Sequence, residues 1–291
     1  MAFYREIDGY ITRDYSLLYS AEQYTTENGL LDIIPSRSFD EMVFLNGELQ
    51  FTRKDEYIYH EMLIHPAMSS QIEPTRVCIL GGGDGCAVRE VLKWPSVQSI
   101  DLYDYDKDLV NLFTHRYSSW NNQSLSHPNV NIHIENVKDI PLEESYHAIF
   151  VDLIDPNYND DESIEVWETL IAKLPFMLKP TGSLVLNAGS ISPWNTKNME
   201  WLLFLLSKHF QINTTHTLEA YKVFVPSFAS EWCFIFLRPI ESSLKLSMFQ
   251  ENKKVRYFDE DAWRMASTWT KDVVYSIPRE RVKLNGYLPP L

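Results

Sequence analysis

"RVCILGGGDGCAVREVLKW" spans residues 76–94. The apolar, β-branched opening predicts a buried strand, and "AVREVLKW" predicts a helix. Between them stand Gly81, Gly82, Gly83 and Gly85, with Asp84 inside the turn. Glycine lets the backbone turn tightly and lets a ligand approach with no Cβ in the way.

The same alternation continues downstream. "VQSIDLYDYD" predicts a second strand and "KDLVNLFTHRY" a helix. "NVNIHIEN" and "YHAIFVDL" predict two more strands, and "SIEVWETLIAKLPFML" a helix that starts near Asp161, Glu162 or Ser163. "PTGSLVLNAGS" predicts a turn and strand, and "NMEWLLFLLSKHF" another helix. Strands alternating with helices predict a largely parallel sheet covered on both faces. "YKVFVPSFASEWCFIFL" predicts two strands around a Pro-Ser turn, and "DEDAWRMASTW" a helix. Upstream, "EMVFLNGELQFT" predicts a hairpin turning at Asn46-Gly47. "DEYIYHEMLIHPAM" then takes a helical period: Ile58, Met62 and His65 share an inward face, Tyr57, Glu61 and Ile64 do not, and Pro66 bends or ends the helix. The fold class expected is α/β: a small β-rich unit over residues 1–70, then a Rossmann-like nucleoside-binding domain over residues 71–291.

Composition narrows the function. The 291 residues carry a formal net charge of -14, 45% hydrophobic and 13% aromatic residues. An acidic surface is a poor match for a nucleic-acid backbone and attracts cationic small molecules. Cys78, Cys86 and Cys233 form no CxxC pair and suit a reducing compartment. No HExxH is present, so no metal is expected. "MEWLLFLLSKHF" is broken by Glu200 and Lys208 and is too short to span a bilayer, and "MAFYREIDGYITRDY" has no hydrophobic signal region. A soluble cytoplasmic protein with no membrane or nucleic-acid partner is expected.

Asp104 and Asp106 end the second strand, where a carboxylate can take both ribose hydroxyls of a nucleoside. This leaves a dinucleotide and a sulfonium nucleoside open. Asp84 favours the sulfonium nucleoside, because a carboxylate in the turn repels a pyrophosphate and welcomes an ammonium. "AIFVDLIDP", residues 148–156, sends Asp152 and Asp155 to the carboxyl edge of the sheet, where open parallel sheets bind ligands. An amine acceptor arrives protonated, its unperturbed pKa being roughly 10. Asp152 is the candidate to accept its proton, and Asp155 the candidate to orient it.

These motifs, in this order, resemble the polyamine aminopropyltransferases over roughly residues 25–275. "FLNGELQFTRKDEYIYHEMLIHPAM" is similar to the family's hairpin and following segment, "CILGGGDGCAVREVLKWPSV" to its nucleotide-binding turn, and "YHAIFVDLIDP" to its catalytic strand. The resemblance implies that Tyr59 and His60 line the active site, that Asp84 receives the donor's amino group, that Asp104 binds the ribose, and that Asp152 is catalytic with Asp155 binding amine. It implies decarboxylated S-adenosylmethionine as co-substrate, a cationic amine as acceptor, 5'-methylthioadenosine as product, and a homodimer or larger homo-oligomer. "VFVPSFASEW" and "RYFDEDAWRMASTWTKDV" look most like the thermospermine synthase branch, and "DEYIYHEMLIHPAM" suits that branch and the triamine/agmatine branch alike. Tyr158, Phe228 and Trp232 then shape the acceptor tunnel. Three places depart from the family. Its donor-contacting glutamine falls near Asn28-Gly29, with Gln23 reaching it only by a register change. Its adenine-recognising aspartate is Asn136. "NYNDDESIEVW" replaces a Gly-Pro segment. Two alternatives stay open: a transferase using intact S-adenosylmethionine for methyl or aminocarboxypropyl transfer, and a nucleoside-binding protein without catalysis. Arg89, in the helix after the glycine turn, is expected to face away from the site.

Overall fold

The computed structural model describes residues 2–8, 11–71, 73–142, 145–212, 214–244 and 255–276. An N-terminal hairpin of β1 (Phe3–Asp8) and β2 (Ile11–Ser16) precedes a four-stranded antiparallel sheet of β3 (Glu22–Thr26), β4 (Gly29–Ser36), β5 (Asp40–Leu45) and β6 (Glu48–Thr52). Asn46 (φ 52°) and Gly47 (φ 85°) turn β5 into β6 as expected, both with the positive φ of a two-residue hairpin turn. Ile34, Met42 and Phe44 form a small core here with Tyr15.

Helix α1 (Glu56–Ser70) follows. Its expected amphipathic face is not what folds. Glu61 and Ile64 are as completely buried as Met62 and His65, because the helix packs against α2 (Cys86–Val91) and the main sheet together. Pro66 lies inside the helix, which continues to Ser70.

The main sheet has the order β12-β13-β11-β10-β7-β8-β9. Its strands are β7 (Arg76–Gly81), β8 (Ser99–Asp104), β9 (Val130–Ile134), β10 (Tyr146–Asp152), β11 (Leu178–Ile191), β12 (His216–Val225) and β13 (Ser230–Pro239). The five strands from β11 to β9 pair in parallel, while β13 is antiparallel to β11 and to β12. The sheet is therefore mixed: the tight turn after Val225 allows only antiparallel return. The period-2 alternation of strand side chains fills two cores. Val77, Ile79 and Phe150 face the α1 side. Cys78, Leu80, Ile149 and Val151 face the other, against α4 (Asp161–Met177) and α5 (Lys197–His209). Burial on both faces accounts for the unbroken apolar run Ala148–Val151. Helices α3 (Lys107–Thr114), α6 (Glu260–Ala266) and α7 (Lys271–Ser276), with a short 3-10 turn at Ser124–Ser126, complete the described elements. No helix among the described residues is long and apolar enough to cross a membrane.

Two contacts position the site. Asp55, just before α1, accepts hydrogen bonds from the backbone N–H (2.8 Å) and hydroxyl (2.9 Å) of Ser227 in the β12–β13 turn. Glu61 accepts the backbone N–H groups of Arg256 (2.7 Å), Tyr257 (2.7 Å) and Phe258 (2.9 Å), holding the C-terminal segment against α1.

Candidate active site

The glycine turn lies where β7 meets β10. Gly81 has φ +84°, and a Cβ there would stand 2.1 Å from the Asp152 carbonyl oxygen. Only glycine fits this crossing. A Cβ on Gly83 would meet Asp104 Oδ2 at 2.7 Å. That carboxylate instead accepts the Gly83 N–H (2.9 Å), and its other oxygen accepts the Asp106 N–H (2.9 Å). Asp104 thus closes the turn at the end of β8. Burial raises its pKa to about 6, despite those two N–H donors. Asp106 caps α3 by accepting the Leu109 N–H and also accepts the Asn28 N–H (3.1 Å) from the N-terminal sheet.

His60 is the hub of the site. It is 3% exposed on α1. Its Nδ1 is 2.8 Å from both the backbone carbonyl and Oε2 of Glu56. Both partners are acceptors, so Nδ1 carries a hydrogen. Nε2 faces the other way, 3.9 Å from Asp84 Oδ1 and 3.9 Å from Asp152 Oδ2. Burial pulls the imidazole pKa down, but the Glu56 bond and charge, with Asp84 and Asp152, raise it to about 9. Glu56 is shared with Arg89, whose Nη2 lies 2.8 Å from Oε2. Arg89 therefore does not face away from the site. It is one ion pair from His60, and it also binds Glu90 at 2.9 Å.

Asp152 emerges at the end of β10 with its side chain 10% exposed. Tyr59 donates its hydroxyl to Oδ1 at 2.7 Å. Burial pushes the Asp152 pKa up from 3.8 to about 6, with Asp84 adding to the rise and His60 and Tyr59 opposing it. The ligand-type atoms of His60, Asp84 and Asp152 lie within 4.8 Å of one another, as do those of Glu56, His60 and Cys86. In the first set only Asp84 and Asp152 can face a cation, because a protonated imidazole has no lone pair to offer.

The remaining sequence candidates divide. Phe228 packs against Trp232 in a tilted pair at 4.5 Å between centroids and meets Tyr59 edge-on at 6.4 Å, so these three form one aromatic wall. Asp155 is exposed just past β10 and accepts a bond from Asn187 Nδ2 (2.8 Å). Tyr158 is fastened instead to the start of α5: its N–H donates to Asn198, and Lys197 lies 5.3 Å over its ring. Asn136 follows β9 at the same sheet edge, with Oδ1 accepting the Lys138 N–H (2.9 Å). Gln23 pairs with Asp32 inside the N-terminal sheet, its side chain donating to that carboxylate at 2.7 Å. Asp160 caps α4 by accepting the Ser163 N–H. Glu56 and Asn187 were missed. Glu56 was legible as the i−4 neighbour of His60 on a predicted helix.

Comparison with known proteins bears on the family and the fold. The profile of the family described as "Spermine/spermidine synthase domain" matches residues 56–245. A polyamine aminopropyltransferase of Leptospira interrogans is 33% identical over 279 residues, covering 88% of this chain and 54% of the relative. The chain thus spans about half the length of that relative. The thermospermine synthase ACAULIS5 of Arabidopsis thaliana is 25% identical over 284 residues, covering 94% of this chain and 82% of the relative. The fold matches a crystal structure of spermidine synthase in complex with the transition-state analogue AdoDATO, with a TM-score of 0.81, 22% identity, and coverage of 95% of this chain and 94% of that one. With the glycine turn, the Asp84–His60–Asp152 cluster and a profile match across most of the chain, this protein belongs to the spermine/spermidine synthase family.

Proposed function

We propose that the protein transfers the aminopropyl group of decarboxylated S-adenosylmethionine to a diamine or polyamine. The observation that carries this is the convergence of Asp84 and Asp152 on His60 Nε2, each at 3.9 Å, at the edge where the glycine turn and β10 meet. A pair of carboxylates beside a nucleoside-binding turn suits a cationic arm better than an anionic one.

In this reading Gly81, Gly82, Gly83 and Gly85 admit the nucleoside, Asp104 takes its ribose hydroxyls, and Asn136 faces its base. Asp84 receives the ammonium of the aminopropyl arm, with His60 close by. Asp155 binds an ammonium of the acceptor, while Tyr59, Phe228 and Trp232 line its methylene chain. Asp152 accepts the proton that makes the attacking nitrogen's lone pair available. That nitrogen then forms a bond to the aminopropyl carbon beside sulfur as the C–S bond breaks and its electron pair leaves on sulfur. The products are the lengthened polyamine, 5'-methylthioadenosine and a proton. The sulfonium supplies its own positive charge, so the leaving group is already good. A carboxylate near pKa 6 is a stronger base than an ordinary aspartate and remains ionised at neutral pH.

Intact S-adenosylmethionine fits less well. Its added carboxylate would stand among Asp84 and Asp152. The nearby Arg89 is already committed to Glu56 and Glu90. For the acceptor we favour spermidine, as in the thermospermine synthase branch, on the strength of "VFVPSFASEW" and the Phe228–Trp232 wall it builds. The test pairs decarboxylated or intact S-adenosylmethionine with putrescine, agmatine, spermidine or no amine, read by mass spectrometry. The expected result is an amine heavier by one aminopropyl group with the decarboxylated donor only. Product from the intact donor alone would overturn the proposal.

A further inference from the structure

Asn187 joins the acceptor carboxylate to the aromatic wall. β11 carries it to the same sheet edge as Asp152, and the pairing of β11 with β13 slips between Asn187 and Ser190. Gly189, at φ +77°, takes up the irregularity. Its backbone N–H thereby reaches Asn187 Oδ1 at 2.8 Å, and the same oxygen accepts the Trp232 indole N–H at 2.9 Å. Asn187 Nδ2 donates to Asp155 Oδ1 at 2.8 Å and lies 3.4 Å from the Leu153 carbonyl. These partners allow one amide orientation. The flipped form would set its NH₂ against two N–H groups and its oxygen against a carboxylate. Asn187 is 3% exposed, so its amide is largely shielded from water.

The indole N–H of Trp232 is spent on Asn187, which leaves mainly apolar ring for a ligand. That ring packs on Phe228, and Phe228 on Tyr59, whose hydroxyl holds Asp152. One buried amide therefore links the carboxylate read as binding an ammonium to the wall read as binding methylenes.

We propose that Asn187 is a positioning residue for acceptor recognition: it locks the Asp155 carboxylate and the Trp232 ring at a fixed separation, and so sets which spacing of ammonium and methylene chain is accepted. This rests on the acceptor site proposed above. It predicts that loosening the lock degrades binding and discrimination of the amine, while the nucleoside side is unaffected.

The experiment measures steady-state kinetics of wild type, Asn187→Leu and Trp232→Phe with putrescine, agmatine and spermidine, and equilibrium binding of 5'-methylthioadenosine by calorimetry. Asn187→Leu is expected to raise the KM for the preferred amine roughly 10-fold or more, the scale of losing one hydrogen bond to a charged group. The kcat at saturating amine and the Kd for 5'-methylthioadenosine should each change by about 3-fold or less. Trp232→Phe keeps a ring and removes only the indole N–H donor. It should shift KM in the same direction by a smaller factor and narrow the preference among the three amines. It also decides the matter should Asn187→Leu fail to fold. Unchanged amine KM and preference in the folded variants, or a parallel loss of 5'-methylthioadenosine binding, overturns the inference alone. A wild type that transfers to none of the three amines overturns the functional proposal and this inference with it.

Discussion

Replacing Glu56 by Gln removes a charge while keeping a side-chain oxygen for His60 Nδ1. In the native site the imidazole pKa rises from 6.5 to about 9, although burial alone would lower it. That rise corresponds to ~3 kcal/mol of preference for the imidazolium in the folded protein, at 1.36 kcal/mol per pKa unit. Glu56 is its leading source, ahead of Asp84 and Asp152. Without the Glu56 charge, burial is opposed mainly by Asp84 and Asp152, and the His60 midpoint should fall below about 9. The sign for stability follows. A group whose folded pKa is raised stabilises the fold in full below its unfolded pKa and loses that contribution as pH rises through the folded one. Wild type should therefore lose ~3 kcal/mol from this group between pH ~6.5 and ~9, and Glu56→Gln should show a smaller loss in that window. Histidine-selective NMR gives the midpoint, and urea denaturation at several pH values gives the stability. The charge of His60 also reaches Asp152, which it holds down from 3.9 Å. In Glu56→Gln the Asp152 pKa should move above about 6 and carry the acid limb of kcat/KM with it. A His60 midpoint within ~0.5 pKa units of wild type, or an unchanged pH dependence of stability, would refute the reasoning.

Asp152→Asn should lower aminopropyl transfer ~100- to 10,000-fold, the range for losing a general base, with 5'-methylthioadenosine binding retained; near-normal transfer would reject the assigned role. In wild type, kcat/KM should fall as pH drops below about 6, where the raised Asp152 carboxylate gains its proton. A profile flat down to pH ~4.5 would contradict this. Asp84→Asn should weaken the decarboxylated donor ~10-fold or more, as expected for a lost charge-assisted contact, and spare 5'-methylthioadenosine, which has no ammonium; equal losses for both ligands would exclude the role. Glu61→Gln should cost ~1–3 kcal/mol, because three backbone N–H groups share that carboxylate, and should speed limited proteolysis near residues 255–258. An unchanged cleavage rate would count against a strap held by Glu61.

Local patterns carried much of this protein in readable form. The alternation of strands and helices, the hairpin at Asn46-Gly47 and the glycine turn each depend on residues close together in the chain. Such features are encoded by side-chain period and backbone freedom. The positions of Asp84, Asp104, Asp152 and Asp155 were legible for the same reason, since each sits at or just past a strand end or in a turn that the pattern locates.

The tertiary structure decided what lies between distant segments. Helix α1 shows no single apolar face, because it is wrapped by α2 and the sheet and must satisfy its buried Glu56, Glu61 and His65 with partners elsewhere. Arg89 became part of the site only when α2 packed beside α1. Asn187 looked like one more residue of a strand until β11 came to lie between β10 and β13. The charge of His60 is the clearest case. Its own sequence neighbourhood supplies Glu56, but Asp84 and Asp152 come from the glycine turn and from β10, and burial comes from the whole core. A side chain's identity is written in the chain; its protonation depends on which charges surround it and how much water is excluded, and folding alone sets both.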